Sequence, residues 1–343
     1  MNGSDPLTFF DRIHDQWTCA AESAGATLDH HYELAGSVVR LRFAGPALQR
    51  RIAPAFAHLE TGAPAAPDLT VCLWDSASTG VSMPPPPWRT QDYLAHGMVR
   101  GYCDERMLTV VRPTSGALSI YDATRRLALW WYRSAEAVPP FECGSPLIQI
   151  LHRWSRDRGI RCLHAGAVGT PAAGVVIAGR SGSGKSTACL ACVGSPLRYA
   201  ADECCLLRMS DGPRLFSLYC TGKLDRGGLE RLPALWRAVV NPDLGEDKGL
   251  IRLFPSASSA LIRSFPVRAL AVPRISEDDQ VAMHHIAPAE AFRMVAPNCA
   301  FEFGEPDRGL LQDLGALVRQ VPSFRLELGR DLARVPDVIL GVL

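Results

Sequence analysis

The residues best suited to chemistry lie in one central stretch, GVVIAGRSGSGKSTACLACVGSPLRYAADECCLLRM (residues 174–209). Within it, GRSGSGKS has the spacing G-x-x-x-x-G-K-[ST], with an apolar, strand-like segment before it and a predicted helix after it. Glycines let the backbone N–H groups of such a loop surround an anion, the lysine reaches the terminal phosphates, and the serine hydroxyl can ligate Mg²⁺. The motif therefore predicts a nucleotide-phosphate cradle made by Gly179, Ser181, Gly182, Ser183, Gly184, Lys185, Ser186 and Thr187.

An acidic pair, Asp202 and Glu203, follows Lys185 by only seventeen and eighteen residues. The sequence RYAADECCLL (residues 198–207) predicts a single strand, which would bring both acids to the carboxyl edge of the sheet, where ligands bind in open α/β folds. Adjacent residues of a strand face opposite sides. We therefore expect one acid to hold Mg²⁺ and the other to face an acceptor hydroxyl, whose proton it can take.

Two further kinds of residue are candidates for the same site. His164 precedes Lys185 by twenty-one residues, and the segment between them predicts a hairpin that would place the histidine near the phosphates. A lone histidine is more often structural, so both roles stay open. Extra cations stabilise the charge on a phosphoryl group in transfer, and Lys223 is the strongest candidate for a phosphate or acceptor contact. The other candidate cations are Arg226, Lys248 and Arg252.

Taken together, these residues resemble the core of HPr serine kinase/phosphorylase. That core has a histidine, a strand, a glycine-rich phosphate loop, a short helix and a pair of aspartates in this order, and the likeness is close over residues 160–209. The whole chain is still more similar to the HPr-kinase-related proteins of peptide-modification gene clusters, including lasso-peptide kinases. The segments SLYCTGKL (residues 217–224) and LELGRD (residues 326–331) carry that wider similarity.

The resemblance implies a fold shared with phosphoenolpyruvate carboxykinases, a bound Mg²⁺, and a serine hydroxyl on a peptide or protein as acceptor. It makes Lys185 the loop lysine, Ser186 the metal-ligating serine and Asp202 the general base. It further makes Glu203 a metal-side acid and His164 the family's histidine, so that Asp202, Lys185 and His164 become the catalytic candidates.

The sequence also departs from this family. Glu203 stands where the family has its second aspartate, and Ala165 follows the histidine where the family has glycine. The downstream stretch that the bifunctional enzymes use for dephosphorylation has no counterpart. We therefore expect neither HPr as the acceptor nor the reverse phosphorolysis.

The elements that must position these residues fall into two predicted domains. Residues 1–158 mix helical and strand patterns, which predicts an N-terminal α+β domain. We expect this separate domain to recognise the acceptor or to mediate assembly, including that of a homo-oligomer. Residues 159–343 follow the order strand, loop, helix, strand, which predicts an ATP-binding catalytic domain. The predicted fold class is α/β, with a mixed sheet and an HPr kinase/phosphoenolpyruvate carboxykinase-like core.

The composition argues against nucleic acid and membranes as partners. The formal net charge of +1 provides no overall field for nucleic acid or for a membrane surface. The chain has neither a secretory signal pattern nor an apolar run long enough to cross a bilayer, so we expect a cytoplasmic protein.

The 11 cysteines are expected to be buried and reduced in that compartment. Those in apolar segments are Cys72, Cys162, Cys204 and Cys205. Cys189 and Cys192 have C-x-x-C spacing, but no second cysteine or histidine pair follows at zinc-site spacing, which favours a helix-packing role.

The sequence thus predicts an ATP- and Mg²⁺-dependent kinase that transfers the γ-phosphoryl group to a serine-type hydroxyl of a peptide or protein, such as a lasso-peptide precursor. The absence of a guanine-reading N-K-x-D motif favours ATP. Two alternatives stay open, a kinase of a small hydroxyl metabolite and a nucleotide-gated regulatory ATPase.

Overall fold

A computed structural model of the protein describes residues 5–64, 66–245, 248–300 and 308–343. The chain forms two compact units, Met1–Trp154 and Ser155–Leu343. The division falls inside the helix Ile148–Arg156, four residues before the boundary expected from the sequence. Among the described residues, no helix combines the length and the apolar character needed to cross a membrane.

The first unit is built on a six-stranded mixed sheet with the order β1-β2-β3-β6-β5-β4. Its strands are β1 (Thr27–Leu34), β2 (Ser37–Ala44), β3 (Leu69–Asp75), β4 (Met107–Val111), β5 (Leu118–Asp122) and β6 (Leu127–Tyr132). The β2–β3 and β3–β6 pairs are parallel and the other pairs are antiparallel.

Helices in this part of the chain are α1 (Pro6–Ser23), α2 (Pro46–Ile52), α3 (Ser76–Thr79), α4 (Pro140–Gly144) and α5 (Ile148–Arg156). The Asp5 side chain accepts a hydrogen bond from the backbone N–H of Thr8 and so caps the start of α1. Apolar residues at helical spacing bury one face of α1, with Phe9, Ile13 and Trp17 in the same apolar cluster as sheet residues.

The second unit contains a larger sheet. Its strands are β7 (Arg161–Leu163), β8 (Gly166–Gly169), β9 (Gly174–Ile177), β10 (Arg198–Ala201), β11 (Cys205–Arg208), β12 (Arg214–Ser217), β13 (Thr221–Leu224), β14 (Gly249–Arg252), β15 (Ser264–Ile275), β16 (Ala282–Ile286) and β17 (Ser323–Leu328). Strands β13 and β14 pair only with each other, whereas the rest form a nine-stranded mixed sheet.

The long strand β15 holds this sheet together. Its start pairs with β12, its middle runs parallel to β9, and its end runs parallel to β17, which in turn pairs with β16. Because β9 leads directly into the glycine-rich loop (residues 179–186), this pairing fixes where the loop begins.

Helices pack on both faces of the large sheet. They are α6 (Lys185–Ala191), α7 (Arg226–Arg231), α8 (Pro288–Ala300), α9 (Arg308–Gln320) and α10 (Val335–Leu340). Successive side chains of β9 point to opposite faces of the sheet. Val175 and Ile177 belong to the apolar core formed with α6, α7 and α10, whereas Val176 belongs to the core formed with α8 and α9. The expected α/β architecture is therefore confirmed.

The single strand predicted over residues 198–207 is two strands in the structure, so that prediction was wrong. Strand β10 pairs with β8, whereas β11 pairs with β7 and β12. The backbone changes its hydrogen-bonded neighbour strands at Asp202 and Glu203, which lie in the bend between β10 and β11. The acids are therefore not simply alternate residues of one strand.

The cysteines require one correction. Cys162 and Cys204 form a disulfide, although the sequence led us to expect reduced thiols. The pairing of β7 with β11 brings the two cysteines to a Cα–Cα distance of 6.4 Å, and the local sequence pattern carries no information about that pairing. Cys72 and Cys205 are buried free thiols, as expected.

The C-x-x-C pair has the packing role that the sequence favoured. Cys189 and Cys192 are both free and fully buried on α6. A Cβ atom at Gly166 would lie 2.2 Å from the Cys189 sulfur, so helix and strand approach as closely as these residue types allow. Burial raises the pKa of the Cys192 thiol to about 12, which disfavours the thiolate that a metal would need.

Candidate functional site

The glycine-rich loop joins β9 to α6 and folds back on itself. The Lys185 Nζ donates hydrogen bonds to the carbonyl oxygens of Gly179, at 2.9 Å, and Arg180, at 3.1 Å. Gly184 has a φ of +101°, and a Cβ there would lie 2.4 Å from a methyl carbon of Leu328, so this position requires glycine. Burial lowers the pKa of Lys185, although the Asp202 carboxylate opposes that shift.

A polar pocket of about 140 Å³, the acid-pair pocket, opens beside this loop. Its residues from the loop and the start of α6 are Ser181, Gly182, Gly184, Lys185, Ser186 and Thr187. Its further charged residues are Asp202, Glu203, Lys223, Asp225, Arg231 and Lys248. Segments far apart in the chain thus place cations and carboxylates around one small volume.

Asp202 is the buried acid of the pocket, with 3% of its surface exposed. Its Oδ2 accepts a hydrogen bond of 2.8 Å from the backbone N–H of Lys223, whereas Oδ1 is buried and has no hydrogen-bond partner among the described residues. Burial raises the pKa of this carboxyl, and the Glu203 charge adds to the shift. The Ser186 hydroxyl acts in the opposite direction, although it makes no regular hydrogen bond with the carboxylate.

Glu203 behaves differently from its neighbour because it has a cation beside it. Its Oε2 lies 2.8 Å from the Lys223 Nζ, and the glutamate side chain is 39% exposed. Burial alone would raise the pKa of Glu203, but the Lys223 ammonium outweighs that effect, with help from His164, and the pKa falls. The two neighbouring acids therefore have pKa values that are shifted in opposite directions.

Lys223 lies within β13. The Tyr199 hydroxyl on β10 donates a 2.6 Å hydrogen bond to the carbonyl oxygen of Thr221, which ties β13 to the strand that ends at the acids. Burial raises the pKa of Tyr199 well above its ordinary value, so the phenol keeps the proton that it donates. The lysine is thereby held against both acids.

The structure places most of the predicted site residues in one pocket. His164 also lines it, between β7 and the β8–β9 hairpin, which matches the hairpin expected from the sequence. Gly179 contributes its carbonyl to Lys185, and Ser183 lines a separate cavity. Of the other candidate cations, Lys248 lines the acid-pair pocket, and Arg226 and Arg252 are not among its lining residues.

Sequence reasoning missed two charged residues of the pocket, Asp225 and Arg231. The Asp225 side chain accepts a 2.7 Å hydrogen bond from the backbone N–H of Gly228 and so caps α7, at whose end Arg231 lies. An aspartate at the start of a short helical pattern is a recognisable capping signal. That signal predicts the helix but not its position beside the acids.

The donor set of this pocket fits a magnesium ion. The Ser186 hydroxyl and the Glu203 carboxylate are oxygen ligands of the kind that Mg²⁺ prefers, and both line the pocket beside the phosphate loop. Among the described residues, no group of three or more His, Cys, Asp or Glu side chains is arranged to hold a metal ion by itself. A site with few protein ligands suits Mg²⁺, because this ion retains several waters and also binds substrate phosphates.

No model of a known protein family matches the chain, and no curated protein sequence matches it significantly. The resemblance to HPr-kinase-related proteins therefore rests on the motif residues themselves and stays a prediction.

Proposed function

We propose that the protein is a kinase that transfers the γ-phosphoryl group of ATP to a serine-type hydroxyl of a peptide or protein. The observation that carries the proposal is the buried Asp202 carboxylate, which lines the same pocket as Lys185 and whose Oδ1 has no hydrogen-bond partner among the described residues. A carboxylate with a raised pKa beside a phosphate-binding loop is the expected form of a general base.

The proposed reaction is an in-line transfer. The acceptor hydroxyl gives its proton to Asp202 Oδ1 while its oxygen forms a bond to the γ-phosphorus. The bond from that phosphorus to the β,γ-bridging oxygen breaks, and ADP leaves. The loop N–H groups and Lys185 hold the phosphates throughout.

Ser186 and Glu203 are the proposed ligands of Mg²⁺, which supplies neutralising charge on the phosphate oxygens. The hydrogen bond from the Lys223 backbone to Asp202 Oδ2 holds a carboxylate that lines the pocket. The Lys223 ammonium provides further positive charge beside Glu203.

The peptide or protein acceptor comes from the family resemblance. The role in acceptor recognition or assembly that we propose for the N-terminal unit rests only on its being a separate unit. Two rival functions differ in where the phosphate goes. A small-molecule kinase would phosphorylate a free hydroxyl metabolite, and a regulatory ATPase would give the phosphate to water.

The deciding experiment uses ATP labelled in the γ-phosphate with three sets of reactions, one with a mixture of serine-containing peptides, one with free serine and glycerol, and one with no acceptor. We expect phosphoserine in the peptide fraction. Label confined to inorganic phosphate in all three reactions would support the ATPase, and label confined to the small hydroxyl compounds would support the metabolite kinase.

A further inference from the structure

A second cavity, which we call the outer cavity, also borders the glycine-rich loop. Its volume is about 820 Å³, much larger than that of the acid-pair pocket. The two share three lining residues, Ser181, Gly182 and Ile275. A ligand held by the loop in the acid-pair pocket therefore has a direct route over these residues into the outer cavity.

The lining of the outer cavity has a distinct character. Its apolar surface comes from Val272, Pro273, Met294 and Pro297, which belong to the end of β15 and to α8. Three arginines surround that surface, Arg180, Arg274 and Arg293, and the described lining includes no carboxylate. A flat, electron-rich group with an attached anion suits an apolar floor with guanidinium groups around it.

We infer that the outer cavity binds the adenosine part of the phosphoryl donor; this inference rests on the proposed function. Ligand pockets for molecules of this size typically measure about 300 to 1,000 Å³, and the outer cavity falls within that range. The acid-pair pocket is too small for a whole nucleotide but suits its phosphates. The loop then lies between the two halves of one ligand.

Polar groups in the cavity favour adenine over guanine. The Asn298 amide donates one hydrogen bond, of 3.4 Å, to the carbonyl oxygen of Met294. Its other N–H and its amide oxygen form a donor–acceptor pair, which matches the N7 and N6 edge of adenine. Guanine offers two neighbouring N–H donors that call for a carboxylate, and the described lining provides none.

The inference is tested by comparing two ligands of the full-length protein, MgATP and magnesium tripolyphosphate. Tripolyphosphate contains the phosphates alone, so only the acid-pair pocket should determine its affinity. Met294→Trp places a bulkier side chain in the cavity, and Arg293→Ala removes an exposed guanidinium. We expect each to weaken ATP binding, the first by about tenfold or more, because contacts with a base contribute about 1–3 kcal/mol.

Neither variant should change the affinity for tripolyphosphate by more than about twofold, and that retained binding also shows that the variants fold. Arg268→Ala is the matched control, because this exposed arginine lies on the same strand as Arg274 but lines neither cavity. Unchanged ATP binding in both cavity variants would overturn the inference and leave the proposed function standing.

Lys185→Ala tests the proposed function separately from the adenosine inference. It should weaken the binding of both ligands, because the lysine belongs to the phosphate loop. If it weakens neither, the proposed function itself fails.

Asn298→Asp tests the choice of base. The new carboxylate should lower the preference for ATP over GTP by about tenfold, the scale expected for one bidentate base contact. In addition, photolabelling with 8-azido-ATP should modify a peptide from α8. Labelling elsewhere only, together with an unchanged nucleotide preference, would count against an adenosine site here.

Discussion

The ammonium nitrogen of Lys223 lies 2.8 Å from a carboxylate oxygen of Glu203, while the backbone N–H of the same lysine donates a 2.8 Å hydrogen bond to Asp202. One residue therefore holds both acids, the first through its side chain and the second through its main chain. A substitution at this position can remove the ion pair and leave the Asp202 contact in place. This separation makes the roles of the two acids testable.

Lys223→Met should reduce phosphoryl transfer by about 10- to 100-fold, because a cation beside the developing charge is lost. It should also raise the pKa of both acids, because the Lys223 charge lowers the pKa of Glu203 against the effect of burial and opposes the raised pKa of Asp202. The acid side of the pH–rate profile should therefore shift to higher pH. The measurement is kcat against pH at saturating ATP and Mg²⁺.

Lys223→Arg is the control for this prediction. It retains the positive charge, so it should keep the acid side of the wild-type profile even if its rate is lower. A Lys223→Met profile with the same pH dependence as the wild type would show that the lysine does not set the ionisation of Glu203.

Asp202→Asn should retain ATP binding and lose transfer by more than about a hundredfold, the scale expected of a general base. The wild-type rate should increase with pH through the pKa of Asp202, which lies above its ordinary value of 3.8. The residual rate of the variant should not increase there. Near-normal transfer by Asp202→Asn would disprove the assignment of the base.

The same substitution should stabilise the protein without nucleotide or metal. The folded-state pKa of Asp202 is raised, so folding favours the protonated carboxyl, and wild-type stability falls as pH rises through that pKa. Asparagine does not ionise, so we expect the variant to have a higher Tm than the wild type near neutral pH. The difference should disappear below the ordinary pKa. A variant that is less stable at neutral pH would contradict this account.

The disulfide between Cys162 and Cys204 closes a loop across 42 residues of the second unit. By the chain-entropy model, its removal should lower the free energy of unfolding by about 2–4 kcal/mol. Urea unfolding of the Cys162→Ser/Cys204→Ser double variant measures this loss. Reductant should destabilise the wild type by a similar amount and leave the double variant unchanged, and an equal effect on both proteins would exclude this bond as the cause.

Much of the local structure was predictable from the sequence. The strand–loop–helix order around Lys185 appears in the structure, and so does the mixture of helices and strands expected of residues 1–158. Each depends on neighbouring residues, through helical periodicity, strand alternation or glycine conformation. The α/β class follows from the order of such segments.

Long-range pairing was not predictable in the same way. The sequence suggested one strand through Asp202 and Glu203, but β8 pairs with one half and β7 and β12 with the other. Nothing in residues 198–207 themselves indicates where the backbone changes its neighbour strands. The same limit explains why the disulfide was missed.

The sequence by itself determined which groups exist and how they are spaced locally, namely a glycine-rich loop, a lysine after it and two adjacent acids. Only the tertiary structure decided that Asp202 is buried and that Glu203 is paired with Lys223, because those environments come from strands that meet through the sheet and the β13–β14 ribbon. Burial and a neighbouring cation shift carboxylate pKa values in opposite directions. The fold therefore gives two chemically similar side chains different ionisation, and with it the different roles that we propose.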